Sequence, residues 1–217
     1  MKKAAVAVLI LCVLLCFSGC NAESAAADTS REAPADNIPQ EPGDESTVQA
    51  NSDTGSLYTT DSRIEDVMHD PVFGDYGRLI FPADTAYWSG DTLAELRLTW
   101  YSNIDPDMTV EIVNYLKEHA QAGDTVFYDI YTDEEKAGDP DKEDTGLFFF
   151  RGEPGAKFAV CNAGGAFAYV GAMQDSFPHA LELSKRGYNA FALIYRPGAQ
   201  TACEDLARAI SFIFGNA

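Results

Sequence analysis

The chain has 217 residues, with 34 acidic against 15 basic side chains and a formal charge of −19. Such an acidic excess argues against nucleic acid as a partner and against electrostatic attraction to anionic lipid. No CxxC or Cys/His spacing suggests zinc, and no cofactor is expected.

Residues 1–19 read as a signal peptide. Lys2 and Lys3 form a positive start, and Ala4 to Phe17 is an apolar run too short for a stable membrane span. Ser18-Gly19-Cys20 closes it. Small residues directly before a cysteine resemble the lipobox of bacterial lipoproteins, with Phe17 standing where leucine is usual. That resemblance implies cleavage before Cys20, acylation of its thiol with palmitate-type chains, and anchoring on the extracytoplasmic face of a bacterial cell membrane. The other reading is an ordinary secretory signal with an incidental cysteine. With Cys20 acylated, membrane attachment rests on lipid and not on a basic patch.

Residues 20–56 read as the anchor and an acidic linker. Between Asn21 and Ser56 Arg31 is the single base, against acids such as Glu23, Asp28, Glu32, Asp36 and Glu41. Almost no aliphatic or aromatic side chain is present to offset ordering entropy, so a disordered tether is expected.

Residues 57–124 form an N-terminal extension or cap-like region. A short helix fits Arg63–Met68, a turn Pro71–Gly77, and a strand Arg78–Phe81. A turn follows at 87–91, and 92–100 mixes helical and extended spacing. The helix at 106–122 is clearer. Asp105 can cap it, Pro106 suits its first turn, and Gly123 ends it. Met108, Ile112, Tyr115, Leu116 and His119 share one face. His119 reads as a structural histidine, and nothing near His69 in sequence pairs with it.

Residues 125–217 give a regular series. Strands fit 125–131, 146–151, 157–162 and 188–195, and helices fit 176–186 and 201 onward. Thr201 and Glu204 have capping-box spacing, and Ala202, Leu206, Ala209, Ile210 and Ile213 make an apolar stripe. A strand series of this kind opens an α/β sheet with helices on its faces. A sheet ending on 188–195 would expose an apolar edge there, which invites aggregation. The acidic stretch 132–145 alternates Asp139, Asp141 and Glu143 as a calcium loop does. Asp144 sits where that loop needs glycine, and no glutamate stands at its twelfth position, so a solvated hairpin loop is expected. Cys161 and Cys203 could pair in an exported protein, although Cys161 in an apolar strand reads as a small buried hydrophobe.

The stretch Phe158–Phe167 organises this series. An apolar strand runs into Ala163-Gly164-Gly165-Ala166, where missing side chains let a ligand oxygen approach backbone N–H groups. The alternative is a tight turn that needs glycine for its dihedrals alone. From about Thr125 the chain resembles the N-terminal half of an α/β-hydrolase, in the esterase/lipase branch with an HGGG-type loop after the third strand. Ala163–Phe167 aligns with His-Gly-Gly-Gly-Phe, and Phe177–Leu183 and Gly187–Phe191 look like that family's first helix and fourth strand.

The resemblance implies a three-layer α/β-hydrolase-like sheet, incomplete and limited to the N-terminal half. It implies an oxyanion hole from the Gly165 and Ala166 N–H groups, a turn shaped by Gly164, and a small ester-like substrate. Ala163 and Ala166 depart from the pattern, and Gly-x-Ser-x-Gly is absent. His179 precedes the nucleophile's expected place and should pack beside Pro178. The expectation is a membrane-anchored carboxylesterase/lipase-like lipoprotein, truncated before its nucleophile and inactive as this chain. The alternative is a non-catalytic, surface-tethered binding domain on the same fold.

Overall fold

The computed structural model describes residues 55–101 and 103–216. The signal peptide, Cys20 and the linker through Thr54 lie outside the described residues. None of the described helices is long and apolar enough to cross a membrane.

Helix α1 (Ile64–Met68) buries Ile64 and Val67. Asp70 then accepts the Val72 N–H at 3.0 Å, and Pro71 opens a run of 3-10 turns to Ile80. The strand expected at Arg78–Phe81 is therefore 3-10 helical up to Ile80. Burial of Leu79, Ile80 and Phe81 on successive positions suits a tight turn packed on all sides better than an alternating strand. Strands β1 (Trp88–Ser89) and β2 (Arg97–Leu98) make a two-residue antiparallel pair. Between them Thr92 and Glu95 cap each other's backbone.

Helix α2 (Pro106–Gln121) begins as its sequence dictates, with Asp105 accepting the Asp107 and Met108 N–H groups. Its buried face is Thr109, Ile112, Val113, Leu116 and Lys117, turned from the expected one. The reason is Lys117, whose ammonium pairs with Asp70 at 3.0 Å inside the fold. Tyr115 and His119 are left half-buried, and His119 Nδ1 meets Asp124 Oδ2 at 2.7 Å.

Strand β3 is Phe127–Tyr128, shorter than 125–131. Asp129 accepts the Tyr131 N–H at 3.2 Å and pairs with Lys136, which bends the chain away. The acidic stretch is not an irregular loop. Thr132 and Glu135 cap α3 (Asp133–Gly138), and a 3-10 turn follows at Pro140–Asp144. The capping pattern is T-x-x-E in sequence, so the signal was present at Thr132. Strands β4 (Gly146–Phe150) and β5 (Phe158–Asn162), helix α4 (Ser176–Lys185), strand β6 (Asn189–Ile194) and helix α5 (Ala199–Asn216) complete the chain. Helix α5 starts before Thr201, whose hydroxyl donates to the Gly198 carbonyl at 2.9 Å instead of capping. Its buried positions are Ala202, Asp205, Ala209 and Ile213, while Ile210 faces solvent.

The sheet runs β3-β4-β6-β5. β3 and β6 flank β4 antiparallel, and β5 joins β6 in parallel, with Val160 opposite Phe191. The interior position of β6 corrects the expected edge: the outer strand on this side is β5, and Phe158 on it is 37 % exposed. The face of each layer follows from alternation along β4. Phe148 and Phe150 meet Phe177 of α4, and Phe150 stacks on Tyr115 of α2. Phe149 turns to the other face with Phe191, where Tyr128 meets Phe212 of α5. Helices thus cover both faces of an α/β sheet. The described residues form one compact unit, and a single core joins Phe73 and Ile80 to Phe148 and Phe177.

Candidate functional site

β5 and β6 run in parallel, and both carboxyl ends open onto the segment Ala163–Asp175. Ligands bind beyond such strand ends in α/β sheets. Gly165 lies at φ 135, Ala166 at φ 54 and Phe167 at φ 60. The Gly165 carbonyl accepts the Ala168 N–H at 2.9 Å. Ala166 and Phe167 are therefore the centre of a turn with two left-handed residues, a conformation that glycine and asparagine normally supply. Each costs about 1–2 kcal/mol relative to a right-handed residue. The other non-glycine residue at positive φ among the described residues is Trp100, at φ 68. Its neighbour Tyr101 lies over this same segment: a Cβ on Gly164 would come within 2.6 Å of the Tyr101 hydroxyl. Gly165 admits no side chain, because its Cβ would collide with the Tyr169 carbonyl.

Four bonds pin the segment. The Tyr195 hydroxyl donates to the Ala163 carbonyl at 2.8 Å, and the Gly164 N–H donates to Asp175 Oδ2 at 2.8 Å. The Gly171 N–H reaches the Gly164 carbonyl at 3.0 Å, and the Gly198 N–H reaches the Phe167 carbonyl at 2.7 Å. Left over are the N–H groups of Gly165, Ala166 and Phe167, which find no acceptor among the described residues. Gly165 is buried, and Ala166 and Phe167 are exposed. A backbone N–H without an acceptor in a buried residue is uncommon.

Sequence reasoning missed Asp175, Tyr101 and Tyr195. Asp175 is the residue before α4, and its contacts join groups far apart in sequence. Burial and then the Asp175 charge push the Tyr101 hydroxyl up, and they push the Cys161 thiol up to about 11. Burial chiefly, then Tyr101 and Asp175, hold Tyr195 at about 12. Cys161 is therefore a protonated thiol at neutral pH and a poor nucleophile. It is half-buried in the edge strand, Cys203 is exposed, and both are free.

Among the described residues no histidine is hydrogen-bonded to Gly164–Phe167. His179 does not pack away beside Pro178. Its side chain is exposed, with Nδ1 2.7 Å from the Asp175 carbonyl oxygen and 3.4 Å from Oδ1. His69 does have a partner one helical turn back, the Glu65 carbonyl at 2.9 Å. Among the described residues no hydroxyl or thiol is hydrogen-bonded to a histidine. No group of three potential ligands could hold a metal among them, Asp139, Asp141 and Glu143 included. A groove of about 610 Å³ lies elsewhere, between the 71–80 turns and α3, lined by Tyr76, Arg78, Phe127 and Lys136.

No protein-family model matches this chain, and no curated protein or solved structure matches it either. The class that fold and site define is an α/β protein. A strained turn with unclaimed N–H groups sits at the carboxyl end of its parallel strand pair.

Proposed function

We propose that the chain is an extracytoplasmic, lipid-anchored protein of the α/β-hydrolase, carboxylesterase/lipase-like type. Its turn at Gly164–Phe167 receives the carbonyl or carboxylate oxygen of a small ester-like ligand. The observation that carries this reading is the pair of unclaimed N–H groups at Gly165 and Ala166, within a segment otherwise pinned by hydrogen bonds. The antiparallel hairpin leading into a parallel pair, with the glycine turn after the third strand, supports the resemblance. Donors of this kind stabilise developing oxyanions, one being worth about 3–4 kcal/mol of barrier in enzymes that generate them. This chain carries no Gly-x-Ser-x-Gly, so its residues bind the oxygen without forming an acyl-enzyme.

Serine-directed fluorophosphonate labelling of the purified chain is expected at background, and labelling above it contradicts the non-hydrolysing part of the reading. Titration with butyrate, followed by amide resonances, is expected to shift Gly165 and Ala166. Unmoved resonances there sink the oxyanion reading. The Cys20→Ser variant is expected to move from the membrane fraction to the soluble one, and retention at the membrane contradicts the lipid anchor.

A second reading is a surface-tethered binding domain on the same fold, favoured by the lack of any histidine-bonded hydroxyl or thiol among the described residues. It shares the butyrate result. It differs in expecting no ester turnover from any longer form of the protein.

A further inference from the structure

The groove between the 71–80 turns and α3 takes no part in the oxyanion reading. Its volume of about 610 Å³ falls in the range of roughly 300–1,000 Å³ that holds small ligands. Part of its lining is aromatic. Tyr76 and Phe127 stack with ring centres 5.0 Å apart and planes 10° apart, and both line the groove. Gly146 makes room for this pair, because a Cβ there would collide with the Phe127 ring.

The charge of the groove is one-sided once its ion pairs are set apart. Arg78 is held by Asp144, Lys136 by Asp129, and Asp70 by Lys117. That leaves Asp75 from the turns, Asp133 from the start of α3, and Glu143 from the 3-10 turn beyond it. None of these three carboxylates has an ion-pair partner among the described residues, and like charges around one groove repel until a cation joins them. Two hydroxyls of the lining are also unspent. Those of Tyr76 and Thr145 find no partner among the described residues. Thr145 is 1 % exposed, so its Oγ1 is a buried polar atom left without a bond, a rare condition that a donor from a ligand would relieve.

The chemistry of the occupant follows from these groups. No three potential ligands among the described residues could hold a metal ion, so the carboxylates do not converge on one point charge. A cation whose charges are spread along its length fits them. Its ammonium groups are pure donors, suited to carboxylate and hydroxyl oxygens. The methylenes between them suit the ring faces, which also attract an ammonium directly.

We propose that this groove binds a linear aliphatic polyamine, with ammonium groups at Asp75, Asp133 and Glu143 and methylenes along Tyr76 and Phe127. The proposal stands apart from the oxyanion reading and shares no residue with it.

The test is a calorimetric titration of the full chain with spermidine at about 0.15 M salt, which screens the general attraction of an acidic chain for polycations. Ring resonances of Tyr76 and Phe127 are followed alongside, and magnesium chloride is the point-charge arm. The expected result is a single site, with both rings shifting and magnesium binding more weakly. Asp75→Asn and Asp133→Asn, at exposed positions, should each weaken spermidine about threefold or more. Glu118→Gln makes the same charge change at an exposed position outside the groove and should leave the affinity as it was. Thr145→Val keeps the shape and should weaken binding without loss of stability, since the hydroxyl makes no bond within the fold. Equal losses from Glu118→Gln and Asp133→Asn would show diffuse charge and overturn the site. Binding with unmoved rings, magnesium binding as tight as spermidine, or no binding at all would each overturn it too. Undiminished affinity in Thr145→Val would remove Thr145 from the contact set.

Discussion

The Gly164 N–H donates to the Asp175 carboxylate at 2.8 Å, and this one bond ties the exit of β5 to the entry of α4. Asp175→Ala is expected to cost about 1–3 kcal/mol, the worth of a hydrogen bond to a charged group, read by urea unfolding. Asp175→Asn keeps an acceptor and should lose less. Either variant removes a charge that holds the Cys161 thiol up, so iodoacetamide should modify Cys161 faster at about pH 9 than in the parent. An unchanged Cys161 rate would refute the electrostatic link.

Ala166 sits at φ 54, where a Cβ is unfavourable. Ala166→Gly keeps the N–H and removes the clash, and a gain of up to about 1 kcal/mol is expected, net of the extra entropy of the unfolded chain. Gly165→Ala goes the other way, because its Cβ meets the Tyr169 carbonyl. A loss above about 2 kcal/mol is expected, since backbone must move. Thermal unfolding of the two variants side by side checks the contrast.

Lys117 and Asp70 pair at 3.0 Å, with side chains 3 % and 8 % exposed. The Tyr58 hydroxyl also donates to Asp70, at 2.5 Å. Removing one partner strands a buried charge, so Asp70→Ala or Lys117→Ala should each cost about 3–5 kcal/mol. The double change Asp70→Leu with Lys117→Met should cost much less than the sum. Additive losses in a double-mutant cycle would contradict that coupling.

Stability should fall on both sides of neutral pH. Burial chiefly raises the Cys161 thiol to about 11 and the Tyr169 and Tyr195 hydroxyls to about 12, above their ordinary 9.0 and 10.0. The folded chain keeps these protons after the unfolded chain has released them. Their contribution is full below about pH 9 and is lost as pH rises toward 12. At Asp70 burial alone would raise the carboxyl. The Tyr58 hydroxyl, the Val72 N–H and Lys117 outweigh it and hold the carboxyl below its ordinary 3.8. That contribution is present above about pH 4 and is lost as pH falls further. Urea midpoints measured from pH 3 to 11 should form a dome, and a flat alkaline limb would count against the burial of these groups.

The edge strand β5 carries Phe158, whose ring meets the exposed Phe214 at 5.5 Å. An apolar edge of this kind promotes edge-to-edge association. Phe158→Lys should reduce light scattering at high concentration with a stability change of no more than about 1 kcal/mol. Unchanged scattering would place association elsewhere.

Much of the secondary structure was legible because it depends on neighbours in sequence. Asp105-Pro106 starts α2, short continuous apolar runs mark β4 and β6, and Gly187 closes the turn after α4, each legible from neighbours in sequence. The acidic composition and the lipobox-like Ser18-Gly19-Cys20 are likewise local, and Cys20 lies outside the described residues. The glycine turn could be located from missing side chains alone. What the sequence could not reveal was which of its N–H groups stay free. That depends on Asp175, Tyr195 and Gly198 reaching the turn from other segments, and on Tyr101 arriving from the N-terminal extension. The same holds for sheet order. Pattern marked β6 as covered on both faces, but only pairing with β4 and β5 placed it inside and left β5 as the edge. Periodicity reports which side of an element is apolar. Register, strain at Trp100, Ala166 and Phe167, and unclaimed donors are properties of how elements meet, so only the tertiary structure decides them.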